Sequence, residues 1–266
     1  MGVFNGDFYS SKLQMTTSIN IIFPEESNDV TPLIHDSIRV LYLLHGLGGN
    51  CNEWIRFSKI EYYAKKYNFI VIMPEVNRSF YSNMEYGLDY FDYISEELPN
   101  ICQKWFNIPK DRSLNFIAGE SMGGYGAMKI ALANPNKFNA VASLSGVLDY
   151  KTFLNRLNLE TLEIMHSKEI ISIHGIEKSI KNNQDIFQLL QVANKLNQKP
   201  RIMQLCGIDD FLYQDNLKFK KAVETLNFDY CYFEGEGDHS WPFWDVAIQK
   251  AIQFFLFLDI ENTATY

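Results

Sequence analysis

Gly119-Glu120-Ser121-Met122-Gly123-Gly124 constrains this chain more than any other stretch. It follows the apolar run Leu114 to Ala118 and precedes Tyr125-Gly126-Ala127-Met128-Lys129-Ile130-Ala131-Leu132-Ala133, so it reads as a strand, a sharp turn and a helix. Glycines on both sides of Ser121 let neighbouring backbone approach where a side chain would collide. The turn would hold the Ser121 hydroxyl at the end of a sheet and aim the N–H of Met122 into the same space. The helix that follows adds partial positive charge there, where an oxyanion would form. A serine in this place can also be a plain helix cap. The strand before it and the helix after it favour a nucleophile.

A serine nucleophile needs a base, usually a histidine oriented by a carboxylate. The chain has five histidines: His35, His45, His166, His174 and His239. Only His239 has a suitable setting. It follows the strand-like Tyr230-Cys231-Tyr232-Phe233 through Gly235-Glu236-Gly237-Asp238, and precedes an apolar helical pattern from Trp241 to Leu258. Loops at the C-terminal ends of strands are where open parallel sheets carry their chemistry. The carboxylate should also follow a strand. Arg201 to Cys206 is such a strand, and Gly207-Ile208-Asp209-Asp210 comes after it, offering Asp210 first and Asp209 as its rival. Asp149, beyond the strand Ala140 to Leu144, is a more distant candidate. Another strand, Val40 to Leu44, runs into His45-Gly46-Leu47-Gly48-Gly49, whose glycines let backbone come close to a substrate. His45 is expected to be structural, its ring bonding nearby backbone. His166 and His174 have no ligand-like spacing and are expected at the surface or in packing.

The pattern along the chain is that of one α/β domain over residues 1–266, with no linker, low-complexity stretch or internal repeat. A chain of this length can bury about 75% of its unfolded surface. Phe8 to Met15, Ser18 to Phe23 and Ile38 to Leu44 are expected to form an antiparallel start, with a polar loop from Pro24 to Asp36. Helices then alternate with strands. A helix over Ile60 to Tyr67 precedes the strand Phe69 to Met73, and a long amphipathic segment, Tyr90 to Phe106, contains Pro99, which is expected to kink it. Strands apolar on both faces and alternating with helices imply a mostly parallel sheet covered on both sides. Residues 149–196 break the alternation with short, polar helical patterns. They are expected to form a helical insertion, read as a cap over the active site, with a plain peripheral helical excursion as the alternative.

Composition excludes several classes. A net charge of −8 argues against nucleic-acid or anionic-membrane partners. The first twenty residues lack both a basic start and a continuous apolar run, and Ala251 to Leu258 is too short to span a bilayer. The four cysteines show no CxxC spacing. The expectation is a cytoplasmic protein with reduced thiols. No HxxxH or HxH pair marks a metal site, so no metal or other cofactor is expected.

Gly119 to Ala127, His45-Gly46-Leu47-Gly48-Gly49 and His239-Ser240-Trp241-Pro242-Phe243-Trp244 together resemble the esterase D-like α/β-hydrolases. That group includes S-formylglutathione hydrolases, cinnamoyl and acetyl esterases, and mycolyltransferases. Asp210-Phe211-Leu212-Tyr213-Gln214-Asp215-Asn216 is similar to the bacterial tributyrin esterases within it. The resemblance spans nearly the whole chain and is weakest over residues 149–200. It implies the α/β-hydrolase fold and a cofactor-free carboxylesterase acting on short acyl esters. It also implies a Ser121, Asp210, His239 triad and oxyanion donors at the N–H groups of Leu47 and Met122.

Three readings compete on this basis: a short-chain carboxylesterase, an acyltransferase with the same triad, and a non-catalytic relative that binds ligands. An S-formylglutathione hydrolase-like thioesterase is a further alternative. The partner expected is a small-molecule acyl ester, with a homo-oligomer allowed. Trp54, Tyr81, Tyr86, Tyr125, Trp241 and Trp244 lie near the presumed active loops, and Trp54, Tyr125 and Trp241 are expected in the substrate pocket. Trp241 and Trp244 are also expected to pack the C-terminal helix and position the His239 loop.

Overall fold

The computed structural model describes residues 2–25, 37–158 and 164–259. His35 and most of the expected loop at 24–36 lie outside the described residues, as do residues 159–163 of the expected insertion.

The elements run β1 (Gly2–Ser10), β2 (Met15–Phe23), β3 (Arg39–Leu44), α1 (Glu53–Phe57), α2 (Ile60–Lys66), β4 (Phe69–Pro74), α3 (Tyr90–Asp92) and α4 (Leu98–Phe106). Next come β5 (Asn115–Glu120), α5 (Met122–Ala133), β6 (Ala140–Leu144), α6 (Tyr150–Asn158), α7 (Ser167–His174) and α8 (Ile186–Asn194). The chain closes with β7 (Arg201–Gly207), α9 (Tyr213–Val223), β8 (Tyr230–Gly235) and α10 (Trp241–Phe255). The eight strands form one sheet in the order β1-β2-β4-β3-β5-β6-β7-β8. β1 with β2 and β2 with β4 are antiparallel, and every other pair is parallel. This is the α/β-hydrolase fold.

Side chains along the inner strands alternate between two cores because successive residues point to opposite faces. Val40, Tyr42 and Leu44 of β3 join Leu98 of α4, Met128 of α5, Leu190 of α8 and Phe219 of α9 on one side. Leu41 and Leu43 join Trp54 of α1, Ile60 of α2, and Ala247 and Ile248 of α10 on the other. Both faces are covered, which is why these strands read as continuous apolar runs.

Three details differ from the sequence expectation. First, β3 does not continue an antiparallel start. It runs parallel to β4 and β5 and lies between them, while β2 pairs with β4 instead. A strand apolar on both faces belongs in the interior of the sheet, and Arg39–Leu44 is buried throughout except at Arg39. Second, Phe8 to Met15 is not one strand. The chain reverses between Ser10 and Met15, with Gln14 left-handed at φ 51°. Glu97 holds this turn, accepting the Ser11 N–H at 2.7 Å and also the Ser10 hydroxyl. Third, the Tyr90 to Phe106 segment is not one regular α-helix: a π-helical turn, Tyr93–Glu97, joins α3 to α4, and Pro99 sits in the first turn of α4. Proline has no N–H to donate to the carbonyl four residues back. That carbonyl, of Ser95, accepts from the Lys137 ammonium at 2.6 Å.

Beyond β6, α6, α7 and α8 pack into the first core through Phe153, Leu154, Ile170, Ile173, Leu189 and Leu190. The Tyr125 hydroxyl on α5 donates to the Gln184 carbonyl just before α8 at 2.7 Å. His174, at the end of α7, is buried. Its Nδ1 faces the acceptor-only Gln184 Oε1 at 3.2 Å and must carry the proton, which leaves Nε2 to accept from the Tyr150 hydroxyl at 2.7 Å. Burial lowers the His174 pKa from 6.5 to about 4.

The folded state therefore favours the neutral ring of His174. Its contribution to stability is complete above pH 6.5 and is lost as the pH falls towards 4. Melting temperatures measured across that window should fall less steeply for His174→Gln than for the wild type. Equal slopes would contradict this account of the buried ring.

Candidate active site

Ser121 occupies the turn between β5 and α5 with φ 55° and ψ −117°, a strained backbone for a residue other than glycine. The surroundings fix it there. Its N–H donates to the Leu144 carbonyl of β6 at 2.9 Å, and its carbonyl accepts from Tyr125 N–H at 3.1 Å and Val147 N–H at 3.3 Å. Two glycines make the turn possible. A β-carbon at Gly119 would stand 2.5 Å from the Gly123 carbonyl, and one at Gly123 would stand 2.8 Å from the His45 carbonyl. Either side chain would push α5 away from β3.

His239 and Asp210 reach Ser121 from adjacent loops. The loop after β7 and the loop after β8 are joined by a hydrogen bond from Asp209 N–H to the Gly237 carbonyl at 3.1 Å. Asp210 Oδ1 accepts the Leu212 N–H at 2.8 Å, and Oδ2 lies 2.8 Å from His239 Nδ1. The carboxylate only accepts, so Nδ1 carries the proton. Nε2 is then free to accept from the Ser121 hydroxyl, 2.9 Å away. This is the arrangement in which a serine proton can pass to an imidazole whose charge a carboxylate balances. The Asp210 side chain is wholly buried, while His239 keeps 19% exposure. The imidazole is wedged between Phe211, at 4.6 Å, and Trp244, at 5.0 Å and nearly perpendicular. Of the two adjacent acids, the structure brings Asp210 to His239 and leaves Asp209 exposed. Asp149 instead accepts from Thr152 at the start of α6 and pairs with Lys218.

The His45 to Gly49 loop leaves β3 beside this turn and is tied down along its length. Trp54 Nε1 donates to the Leu44 carbonyl at 3.0 Å and the Tyr81 hydroxyl to the His45 carbonyl at 2.8 Å. The His45 ring donates from Nδ1 to the Gly46 carbonyl at 2.8 Å and accepts the Val76 N–H at Nε2, 3.2 Å away. That is a structural role, with both ring nitrogens on backbone. Met122 opens α5, where a first-turn N–H has no intrahelical partner.

A cavity of about 380 Å³ opens over Ser121. Leu47, Met122, Ser121 and His239 line its reactive side. Phe80, Val147 and Phe153 line its depth, and Arg78, Ile164 and Phe211 form a more exposed rim.

The family described as "Putative esterase" matches residues 10–255 of this chain. The chain belongs to that family. As such it is a carboxylic ester hydrolase. An acetyl esterase of Caldicellulosiruptor saccharolyticus is 30% identical over 96% of this esterase and 98% of its own length. Two solved structures from Staphylococcus aureus are each 36% identical over 96% of this chain and 98% of theirs. One is the fluorophosphonate-binding serine hydrolase FphF with substrate bound, at a TM-score of 0.83. The other is the S-formylglutathione hydrolase FrmB, at 0.82.

The aromatic residues expected in the pocket do not line the esterase's cavity. Trp54 is buried and packs edge-on against Trp241 at 5.1 Å, and Trp241 in turn packs against Trp244 at 5.3 Å. These rings brace the second core and, through Trp244, the His239 ring. Tyr125 lies behind the wall, 5.9 Å from Phe80. The residues that do form the wall were overlooked in sequence: Arg78, Phe80, Val147, Phe153, Ile164 and Phe211. Arg78 and Phe80 lie in the loop after β4, at the same end of the sheet as His239, so strand-end position was the available signal. Their conformation gave none, because Phe80 and Tyr81 are both left-handed, at φ 50° and 51°. Lys129 on α5 holds that shape. Its buried ammonium donates to the Phe80 carbonyl at 2.9 Å and the Ser82 hydroxyl at 2.8 Å, and burial pushes its pKa well down. Among the described residues, no three His, Cys, Asp or Glu side chains are grouped to hold a metal ion, and no helix is long and apolar enough to cross a membrane.

The two neighbouring acids should separate in a steady-state assay. Asp210→Asn should lower kcat by about 10³- to 10⁴-fold, because the imidazole loses its orienting partner. Asp209→Asn should leave kcat nearly unchanged. The reverse ranking would refute the geometry given for Asp210.

Proposed function

We propose that this esterase is a serine carboxylesterase that hydrolyses short-chain acyl esters through an acyl-enzyme, with Ser121, His239 and Asp210 as its triad. The observation that carries the reading is the unbroken chain of contacts from Asp210 Oδ2 to His239 at 2.8 Å and from His239 to Ser121 Oγ at 2.9 Å, opening into an apolar cavity.

His239 Nε2 takes the hydroxyl proton as Ser121 Oγ attacks the ester carbonyl carbon. The carbonyl oxygen becomes an oxyanion held by the N–H groups of Leu47 and Met122, each worth about 3 kcal/mol in the transition state. Asp210 keeps the proton on Nδ1 and balances the imidazolium. As the tetrahedral species collapses, the bond to the leaving oxygen breaks, and His239 returns its proton to that oxygen. Water then attacks the acyl-enzyme by the same route, its proton passing through His239 to Ser121 as the carboxylic acid departs.

Chain length is argued from the cavity. Phe80, Met122, Val147 and Phe153 are each no more than 2% exposed, so they close its depth with apolar surface. Phe80 is backed by Tyr150, stacked at 4.9 Å, and by Phe153 at 5.8 Å. A short acyl group fits against this floor, and the leaving group crosses the rim of Arg78, Ile164 and Phe211. Residues 149–196 supply Phe153 and Ile164 to this surface, which supports the reading of that segment as a cap. The similarity to an acetyl esterase agrees with a small acyl group. The similarity to an S-formylglutathione hydrolase makes a thioester with a small acyl group the second reading. All four cysteines are free thiols, which supports a cytoplasmic setting.

Hydrolysis of p-nitrophenyl acetate, butyrate and octanoate, and of S-formylglutathione, by the wild type and by Ser121→Ala tests the reading. Acetate and butyrate should exceed octanoate in kcat/KM, and the variant should lose about 10⁴-fold or more in kcat. Activity surviving in the variant would remove Ser121 as nucleophile. A preference for octanoate would remove the short-chain assignment, and S-formylglutathione well above both short esters would favour the thioesterase.

A further inference from the structure

Glu120 is the one residue of the Ser121 turn whose side chain the proposed chemistry leaves unused. It ends β5 and is 3% exposed. A carboxyl in such a place costs free energy unless it is neutral or well bonded. Its Oε1 accepts the N–H of Gly46, in the loop that leaves β3. The contact is intimate, since a β-carbon at position 46 would overlap both carboxyl oxygens. Gly46 immediately precedes Leu47, and Glu120 immediately precedes Ser121. The two donors proposed for the oxyanion, Leu47 and Met122, therefore belong to separate segments that Glu120 joins by one hydrogen bond.

We propose that Glu120 is a positioning residue for this reaction, fixing the loop that bears the Leu47 N–H to the turn that bears Ser121 and the Met122 N–H. The inference rests on the serine esterase reading above. The other ties on the loop reach it from outside the Ser121 turn: Trp54 to the Leu44 carbonyl, Tyr81 to the His45 carbonyl and Val76 N–H to the His45 ring. They tie the loop to α1 and to the segment after β4. Among the described residues, the Glu120 carboxyl is the side chain of the Ser121 turn that hydrogen-bonds this loop directly. Burial pushes the Glu120 pKa well above the ordinary carboxyl range despite the opposing Gly46 N–H, with the Glu53 carboxylate adding to the rise. A carbonyl-type oxygen at Oε1 is what the contact with the Gly46 N–H requires. Glutamine supplies the same acceptor at the same reach, whereas alanine supplies none and aspartate falls one methylene short.

An oxyanion donor displaced by a fraction of an ångström stabilises the transition state less while leaving ground-state binding alone. Glu120→Gln, Glu120→Asp and Glu120→Ala should be assayed with p-nitrophenyl butyrate, with kcat expressed per site titrated by a fluorophosphonate so that unfolded chains are not counted. A trifluoromethyl ketone, which adds to the serine as a tetrahedral oxyanion, reports the hole directly. The expected result is a kcat loss of about 10- to 100-fold for alanine, with KM within about twofold and ketone affinity weakened in step with kcat. Aspartate should lose in the same manner, which carries the test if the alanine variant does not fold, and glutamine should stay near the wild type. Unchanged kcat per titrated site in alanine and aspartate would overturn the proposal, as would a rise in KM with ketone affinity retained. A glutamine variant as impaired as alanine would also overturn it, because the acceptor would then not be the operative feature. Failure of the esterase reading itself would show separately, as wild-type activity that persists in Ser121→Ala.

Discussion

The close backbone contact between the first turn of α5 and the end of β3 is the constraint on which the rest of the centre depends. Gly123 lies so near the carbonyls of Leu44 and His45 that any side chain would force the elements apart. That approach brings the Ser121 turn and the His45 to Gly49 loop to one place. It also requires Ser121 to hold an unfavourable backbone, which hydrogen bonds to Leu144, Tyr125 and Val147 and the buried packing of α5 offset. Strain of this kind persists only where the surroundings over-determine it. The parallel sheet supplies that rigidity, with β3, β5 and β6 adjacent and buried on both faces.

From this anchor outward, the remaining groups are placed by strand ends. Asp210 follows β7 and His239 follows β8, neighbouring parallel strands, so their loops meet beside the serine. Apolar rings then restrict the imidazole, and a fully buried carboxylate fixes which nitrogen bears its proton. The cavity wall is built differently. Phe80 and Tyr81 adopt left-handed backbone that their side chains do not favour, and the Lys129 ammonium on α5, the helix that follows Ser121, holds the Phe80 carbonyl in position. One helix thus supports both the serine and the wall opposite it.

Much of this was legible in the sequence. The glycines around Ser121, the loop position of His239 and the doubly apolar strands follow from local rules of sterics and burial, and the structure places them as those rules require. Asp209 and Asp210 could not be separated from residue types alone, because the difference lies in which of two adjacent side chains turns inward. The parallel setting of β3 depended on β2 pairing with β4, a long-range choice that a local apolar pattern does not encode. The pocket aromatics were misjudged for a similar reason. Trp54, Tyr125 and Trp241 are near the active loops in sequence, yet each packs into the cores or against the other rings, while Phe80 and Phe153 reach the cavity from loops and helices without a motif.

The most direct test of the account is the site and stoichiometry of labelling by a fluorophosphonate, read by intact mass and peptide mapping. Attack of the Ser121 oxygen on phosphorus with loss of fluoride should place one adduct per chain on the peptide containing Ser121, and ester hydrolysis should vanish as labelling completes. An adduct on any other residue, or hydrolysis that continues in fully labelled protein, would contradict the claim that the strained turn after β5 presents the nucleophile.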